Sequence, residues 1–120
     1  MPHINIKTTK TLSQEEKIGL VKKLRSAWAS VSLPDVAKLI KFTIDEGIFS
    51  DFHGNWDDPS AIVQIQLAPV TPKEDFEKIA KAFFPILEEY LKTPKNRIHI
   101  NFSIVVFWAL DGEFADCNKQ

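Results

Sequence analysis

The chain carries one strand–helix–strand pattern twice, and that duplication limits the folds open to it more than any other feature. In the first copy Ile4 and Ile6 alternate with His3, Asn5 and Lys7, the period of two that a half-buried strand requires. Ser13 and Glu16 follow with capping-box spacing, in which each side chain can satisfy a backbone N–H of the other residue. Ile18, Val21, Leu24, Trp28 and Val31 then recur at three and four residues and predict one apolar stripe along a helix. Pro34 should end that helix, because a proline drives the residue before it out of helical geometry. A second strand is expected over residues 38–45, with Ile40, Phe42 and Ile44 on one face and Leu39, Lys41 and Thr43 on the other.

The second copy repeats the plan. Ala61, Val63, Ile65 and Leu67 alternate with Ile62, Gln64 and Gln66, and Thr71, Pro72 and Glu74 then supply an N-cap, a first-turn proline and a capping-box glutamate. Phe76, Ile79, Ala80, Phe83, Leu87, Tyr90 and Leu91 predict the buried side of this helix, and Pro85 within it predicts a kink. Thr93 and Pro94 should close it before a strand over residues 97–103. The expected caps at Ser13 and Thr71 are offset by 58 residues and the prolines at Pro34 and Pro94 by 60.

Two such units predict an α+β fold: a duplicated βαβ forming a four-stranded mixed sheet with two helices on one face, since each crossover must be right-handed. One domain over residues 1–120 is expected, with half-repeats at about 1–46 and 60–103. Between them, residues 47–59 (GIFSDFHGNWDDP) mix turn formers with three aromatics and read as a loop containing at most a short hairpin. The bare sheet face would carry His3, Asn5, Lys7, Lys41, Thr43, Gln64, Gln66, His99 and Asn101, a polar surface suited to a wet interior between subunits. Residues 104–120 begin with an apolar run beyond what such a sheet needs, so this tail is expected in subunit contacts.

Charge and cysteine content narrow the partners. With 15 basic and 16 acidic residues there is no basic field to draw nucleic acid or anionic lipid. No apolar run reaches the roughly 18 residues of a membrane span, and the first residues lack the design of a signal peptide. Cys117 stands alone, so no intrachain disulfide can form and a cytoplasmic location is expected. His3, His53, His99 and Cys117 lack metal-ligand spacing, and the four glycines build no phosphate-cradling loop. No metal or cofactor is implied.

The opening Met1-Pro2-His3-Ile4-Asn5-Ile6, the duplicated unit, the turn at Pro34, the run from Asn96 to Phe102 (NRIHINF), and Gly112 with Phe114-Ala115 together resemble the tautomerase superfamily, nearest to the macrophage migration inhibitory factor family. The resemblance covers nearly the whole chain and implies a homotrimer with sites at subunit interfaces. It also implies that Pro2, exposed by loss of Met1, is the catalytic base. An α-amino group begins near a pKa of about 8, and desolvation favours its neutral form, so a secondary amine can take a proton from a carbon beside a carbonyl. A retained Met1 would turn that nitrogen into an amide with no basicity.

Departures from the family pattern bear on substrate. The family's lysine before the turn proline corresponds to Leu33 here, leaving Lys38 or Lys41 on the next strand to meet an acidic group. The family's pocket tyrosine corresponds to His99, while its asparagine is kept as Asn101; both could polarise a carbonyl oxygen across an interface. The arginine pair of dehalogenating relatives has no counterpart between Leu67 and Lys73. The expected activity is therefore a cofactor-independent tautomerase or isomerase acting on a small carbonyl compound, with uncharged ketones preferred over α-keto acids. The alternative is a non-catalytic trimeric scaffold or binding protein that kept the fold.

Overall fold

The computed structural model describes residues 2–118; Met1, Lys119 and Gln120 lie outside the described residues, and with them the end of the expected contact tail. The first unit is β1 (His3–Thr8), α1 (Gln14–Val31) and β2 (Lys41–Asp45), and the second is β3 (Ala61–Leu67), α3 (Asp75–Leu91) and β4 (Ile98–Ile104). A short helix α2 (Pro34–Ala37), which the sequence pattern did not predict, delays the start of β2 by three residues relative to expectation. Pro34 sits in its first turn, where a missing N–H costs nothing.

The sheet runs β2-β1-β3-β4. Strands β1 and β2 are parallel, β3 and β4 are parallel, and the central pair β1 and β3 is antiparallel, so the sheet is mixed as expected. Ile4, Ile6, Val63, Ile65 and Ile98 face the helices and are buried with Leu20, Leu24 and Trp28 of α1 and Ile79, Phe83, Leu87 and Leu91 of α3. Each such large side chain contributes about 1.5–3 kcal/mol by leaving water. The expected α1 stripe is partly wrong. Leu20, not Ile18 or Val21, joins Leu24 and Trp28, while Ile18 is 45% exposed and with Val21 lines a shallow groove against Phe42 and Ile44.

The two helix starts differ. The Ser13 capping box forms, with the Glu16 N–H donating to Oγ of Ser13 at 3.1 Å and the Ser13 N–H donating to Oε1 of Glu16 at 2.9 Å. These bonds hold the Glu16 carboxyl below the usual glutamate range. The Thr71–Glu74 box does not form. Helix α3 begins at Asp75 without a side-chain cap, and the Thr71 hydroxyl is buried with no partner. The first donors go to turn carbonyls instead, Asp75 N–H to Pro72 O at 2.9 Å and Phe76 N–H to Lys73 O at 3.1 Å. Helix α3 nevertheless runs unbroken through Pro85.

Beyond the two units, β5 (Phe107–Leu110) and β6 (Glu113–Asp116) form a two-stranded antiparallel hairpin that sequence reading took only as an apolar tail. Asp111 and Gly112 both have positive φ, the geometry that the favoured two-residue hairpin turn requires. The hairpin packs mainly against itself, leaving Phe107 57% and Phe114 71% exposed. No helix among the described residues is long and apolar enough to cross a membrane.

Candidate active site

Pro2 immediately precedes β1 and is buried. Its carbonyl accepts the Lys41 N–H at 3.0 Å, which ties the start of β1 to the start of β2. Beside it lies a cavity of about 400 Å³ lined by Pro2, His3, Leu39, Lys41, Thr43, Trp108, Ala109 and Leu110. Three separate segments therefore build it: Pro2 with the first residue of β1, Leu39 with residues of β2, and strand β5. The Trp108 indole N–H donates to the Val105 carbonyl at 2.6 Å, which turns its polar edge back to the main chain.

The polar side of this cavity is a hydrogen-bonded row on the helix-free face. His3 Nε2 lies 2.8 Å from Thr43 Oγ1, and His3 Nδ1 lies 3.3 Å from Gln66 Oε1. Asn5 Nδ2 donates to Thr43 Oγ1 at 2.7 Å and approaches Asp45 Oδ2 at 3.3 Å. Lys41 is paired with His3 in the strand register and forms no ion pair with a carboxylate among the described residues.

Of the residues singled out in the sequence, Pro2 and Lys41 meet at this cavity, whereas Lys38 does not line it. Lys38 follows α2, is exposed, and its ammonium lies 3.7 Å from Asp35. Leu33 is exposed at the N-cap of α2. His99 and Asn101 stand on β4, separated from β1 by β3, so one chain does not place them beside Pro2. Asn101 shares a smaller polar pocket of about 210 Å³ with His3, Asn5, Gln64, Gln66 and Ser103. His99 packs edge-on against Phe52, ring centroids 4.8 Å apart. Leu39, Thr43, Trp108 and Leu110 were not anticipated as site residues. The Asp111-Gly112 turn was the one signal that could have placed Trp108 and Leu110 on a strand.

The loop at residues 47–59 has its own organisation. Phe52 and Asn55 bridge across a turn at His53 and Gly54, the short hairpin anticipated for this segment. Arg97 donates to the carbonyls of Pro59 at 2.8 Å, Asn55 at 3.0 Å and Asp58 at 3.2 Å, pinning the loop to the start of β4. No group of three or more His, Cys, Asp or Glu side chains among the described residues could hold a metal ion.

Comparison with known proteins gives the family and the fold. A profile of the macrophage migration inhibitory factor (MIF) family matches residues 1–111. A search of curated protein sequences gives no match. Among solved structures, Leishmania major MIF2 superposes with a TM-score of 0.82 at 12% identity, covering 95% of this chain and 97% of that one. A migration inhibitory factor homologue from Prochlorococcus marinus gives a TM-score of 0.80 at 22% identity, covering 94% and 98%. The protein Pt0534, solved after inactivation by 2-oxo-3-pentynoate, gives 0.82 at 14% identity, covering 98% and 99%. Likeness at these identities speaks to the fold, which all three share with this chain.

Proposed function

The chain belongs to the macrophage migration inhibitory factor family, and from that membership we propose that it is a cofactor-independent tautomerase or related isomerase whose base is the amine of Pro2. The observation that carries the reading is the burial of Pro2 in the wall of a cavity with apolar sides, Leu39, Trp108, Ala109 and Leu110. An amine there is desolvated, which favours its neutral, proton-accepting form. A cavity of about 400 Å³ suits a small carbonyl compound. The reading requires loss of Met1, which lies outside the described residues.

The proposal extends to a homotrimer in the cytoplasm. The hairpin's exposed Phe107 and Phe114 and the open edges of β2 and β4 are surfaces that neighbouring copies would cover. In that assembly His99 and Asn101 of one copy would serve the Pro2 cavity of another, and Lys41 or Lys38 would meet any acidic group. Removing residues 104–120 should then leave monomers, and light scattering that still reports three chains would count against the hairpin as the contact. Leu33 favours the second reading, a non-catalytic scaffold, because it withdraws the family's cation from the site.

Intact mass of the natively expressed protein, followed by a panel of enolisable ketones and α-keto acids with wild type and Pro2→Ala, separates the two readings. The expected result is processed protein, turnover by wild type and its loss in Pro2→Ala. Uncharged ketones should be the better substrates; strong turnover of phenylpyruvate by wild type that survives Lys38→Ala and Lys41→Ala would count against that preference. Pt0534 is inactivated by 2-oxo-3-pentynoate, an alkynyl α-keto acid whose triple bond an amine can add to, so the same compound, at a concentration that offsets its carboxylate, should label Pro2 here. Processed wild type that turns over nothing in the panel and takes no label leaves the scaffold reading.

A further inference from the structure

Thr43 is the only hydroxyl side chain lining the Pro2 cavity among the described residues, and its oxygen is shared by two neighbours. Asn5 Nδ2 can only donate to it, at 2.7 Å. At 2.8 Å from the same oxygen, His3 Nε2 either accepts the Thr43 hydroxyl proton or donates its own. The choice is made at the far side of the ring, where Nδ1 meets Oε1 of Gln66 at 3.3 Å. A carbonyl oxygen accepts only, so in the neutral ring this contact puts the proton on Nδ1, leaves Nε2 bare, and has the Thr43 hydroxyl donate to His3. In this state the row points one way, from Asn5 through Thr43 and His3 to Gln66, and Thr43 offers no donor to the cavity.

The opposite direction needs only a turn of the exposed Gln66 amide. Its Nε2 then donates to Nδ1, the proton moves to Nε2, and His3 donates to Thr43 Oγ1. With both neighbours donating to its oxygen, the Thr43 hydroxyl must send its own proton into the cavity.

We infer that Thr43 is a hydrogen-bond donor to the substrate oxygen in the Pro2 cavity, beside any that a neighbouring copy supplies, and that His3, set by Gln66, is the positioning residue whose tautomer turns this donor on. The inference rests on the proposed proton transfer at Pro2. The Pro2 nitrogen lone pair takes a proton from the carbon beside the carbonyl, and the C–H electron pair becomes the C=C bond. The carbonyl π pair moves onto oxygen, where the Thr43 hydroxyl meets the developing charge. The proton then returns from Pro2 to carbon. Because the donor is wanted only as charge develops, its loss should lower kcat more than it raises KM.

The test uses the full chain with phenylacetone as the uncharged probe. Nitrogen-15 NMR of the His3 ring should report the Nδ1–H tautomer in the free protein and a shift toward neutral Nε2–H when phenylacetone is added. Exchange of the α-protons of phenylacetone with D₂O should fall by about 100-fold in kcat for Thr43→Val, with KM nearly unchanged. Thr43→Ser should restore it. A free protein already in the Nε2–H form, or Thr43→Val with wild-type kcat, overturns the inference. Wild type that exchanges no protons fails the Pro2 reading instead; the tautomer response to phenylacetone then decides this one, an unchanged ring overturning it.

Discussion

Pro2 and Pro59 occupy related places, each just before the first strand of a βαβ unit and at opposite ends of the antiparallel pair β1 and β3. Both lie beside a cavity, about 400 Å³ at Pro2 and about 470 Å³ at Pro59. Their surroundings part there. Pro2 is walled by Leu39, Trp108 and Leu110, whereas the Pro59 cavity has Lys10, Lys92, Asp57 and Asp58 in its lining. The Pro59 carbonyl is bound by Arg97, and its nitrogen is acylated by Asp58, so it has no basicity. Duplication builds the sheet symmetrically. Under the proposed reading, which takes Met1 as removed, base chemistry belongs to the Pro2 end alone, because the Pro59 nitrogen stays an amide.

The sharpest way to break this comparison is to exchange each proline for alanine. Under the proposed reading Pro2→Ala should lose about 10²–10⁴ in kcat/KM, the usual weight of a positioned base. Pro59→Ala should leave ketone turnover at the wild-type level, measured by steady-state kinetics. Equal losses in both variants would mean that the prolines matter for folding alone.

The cores of the two units should respond alike. Leu24 on α1 and Leu87 on α3 are both fully buried, and the helices meet through Trp28 and Phe83, ring centroids 6.4 Å apart. Leu24→Ala and Leu87→Ala should each cost about 3–5 kcal/mol in urea denaturation, with one transition in each case. Two separated transitions in either variant would show that the units unfold independently.

Smaller again is the effect expected at Arg97, whose three carbonyl partners belong to the loop at residues 47–59. Arg97→Ala should cost about 1.5–3 kcal/mol, the range for hydrogen bonds to a charged group. Hydrogen exchange should rise in that loop and not around Pro2. Exchange that rises equally at both ends would couple two cavities that the fold holds apart.

Much of this architecture was legible because periodicity is a property of single elements. Strand β3 begins and ends where its alternation does, and the Ser13 box forms as spaced. Spacing fails where an alternative of similar energy exists nearby. Ile18 and Val21 fit a helical stripe as well as Leu20 does, but the sheet meets the face that carries Leu20 and leaves them toward β2. The site was less legible than the fold. Pro2 came through family resemblance, but Leu39, Thr43 and Trp108 come from segments that only the tertiary fold brings together. Lys38 and Lys41 looked equivalent on an expected strand, until α2 removed Lys38 from it.

The smallest effects belong to the two helix starts, where the halves differ within the same motif. Ser13→Ala removes a formed cap and should cost about 1 kcal/mol. Thr71→Val removes a buried hydroxyl that has no partner, so it should be neutral or stabilising. Acid sensitivity should follow the same division, because Glu16 and Glu46, the carboxyls held below their usual range among the described residues, both belong to the first half. Glu16 is lowered first by the Ser13 backbone N–H and then by its hydroxyl; Glu46 is lowered first by the Leu12 N–H and then by Lys17. A carboxyl depressed in the folded state stabilises the fold above its unfolded pKa, and that contribution is lost as pH falls through the folded value. Glu16→Gln and Glu46→Gln should therefore each flatten the loss of stability below about pH 4.5, read from urea midpoints across an acid series. A slope that ignores both Glu16→Gln and Glu46→Gln would overturn the link between these backbone-bound carboxyls and acid sensitivity.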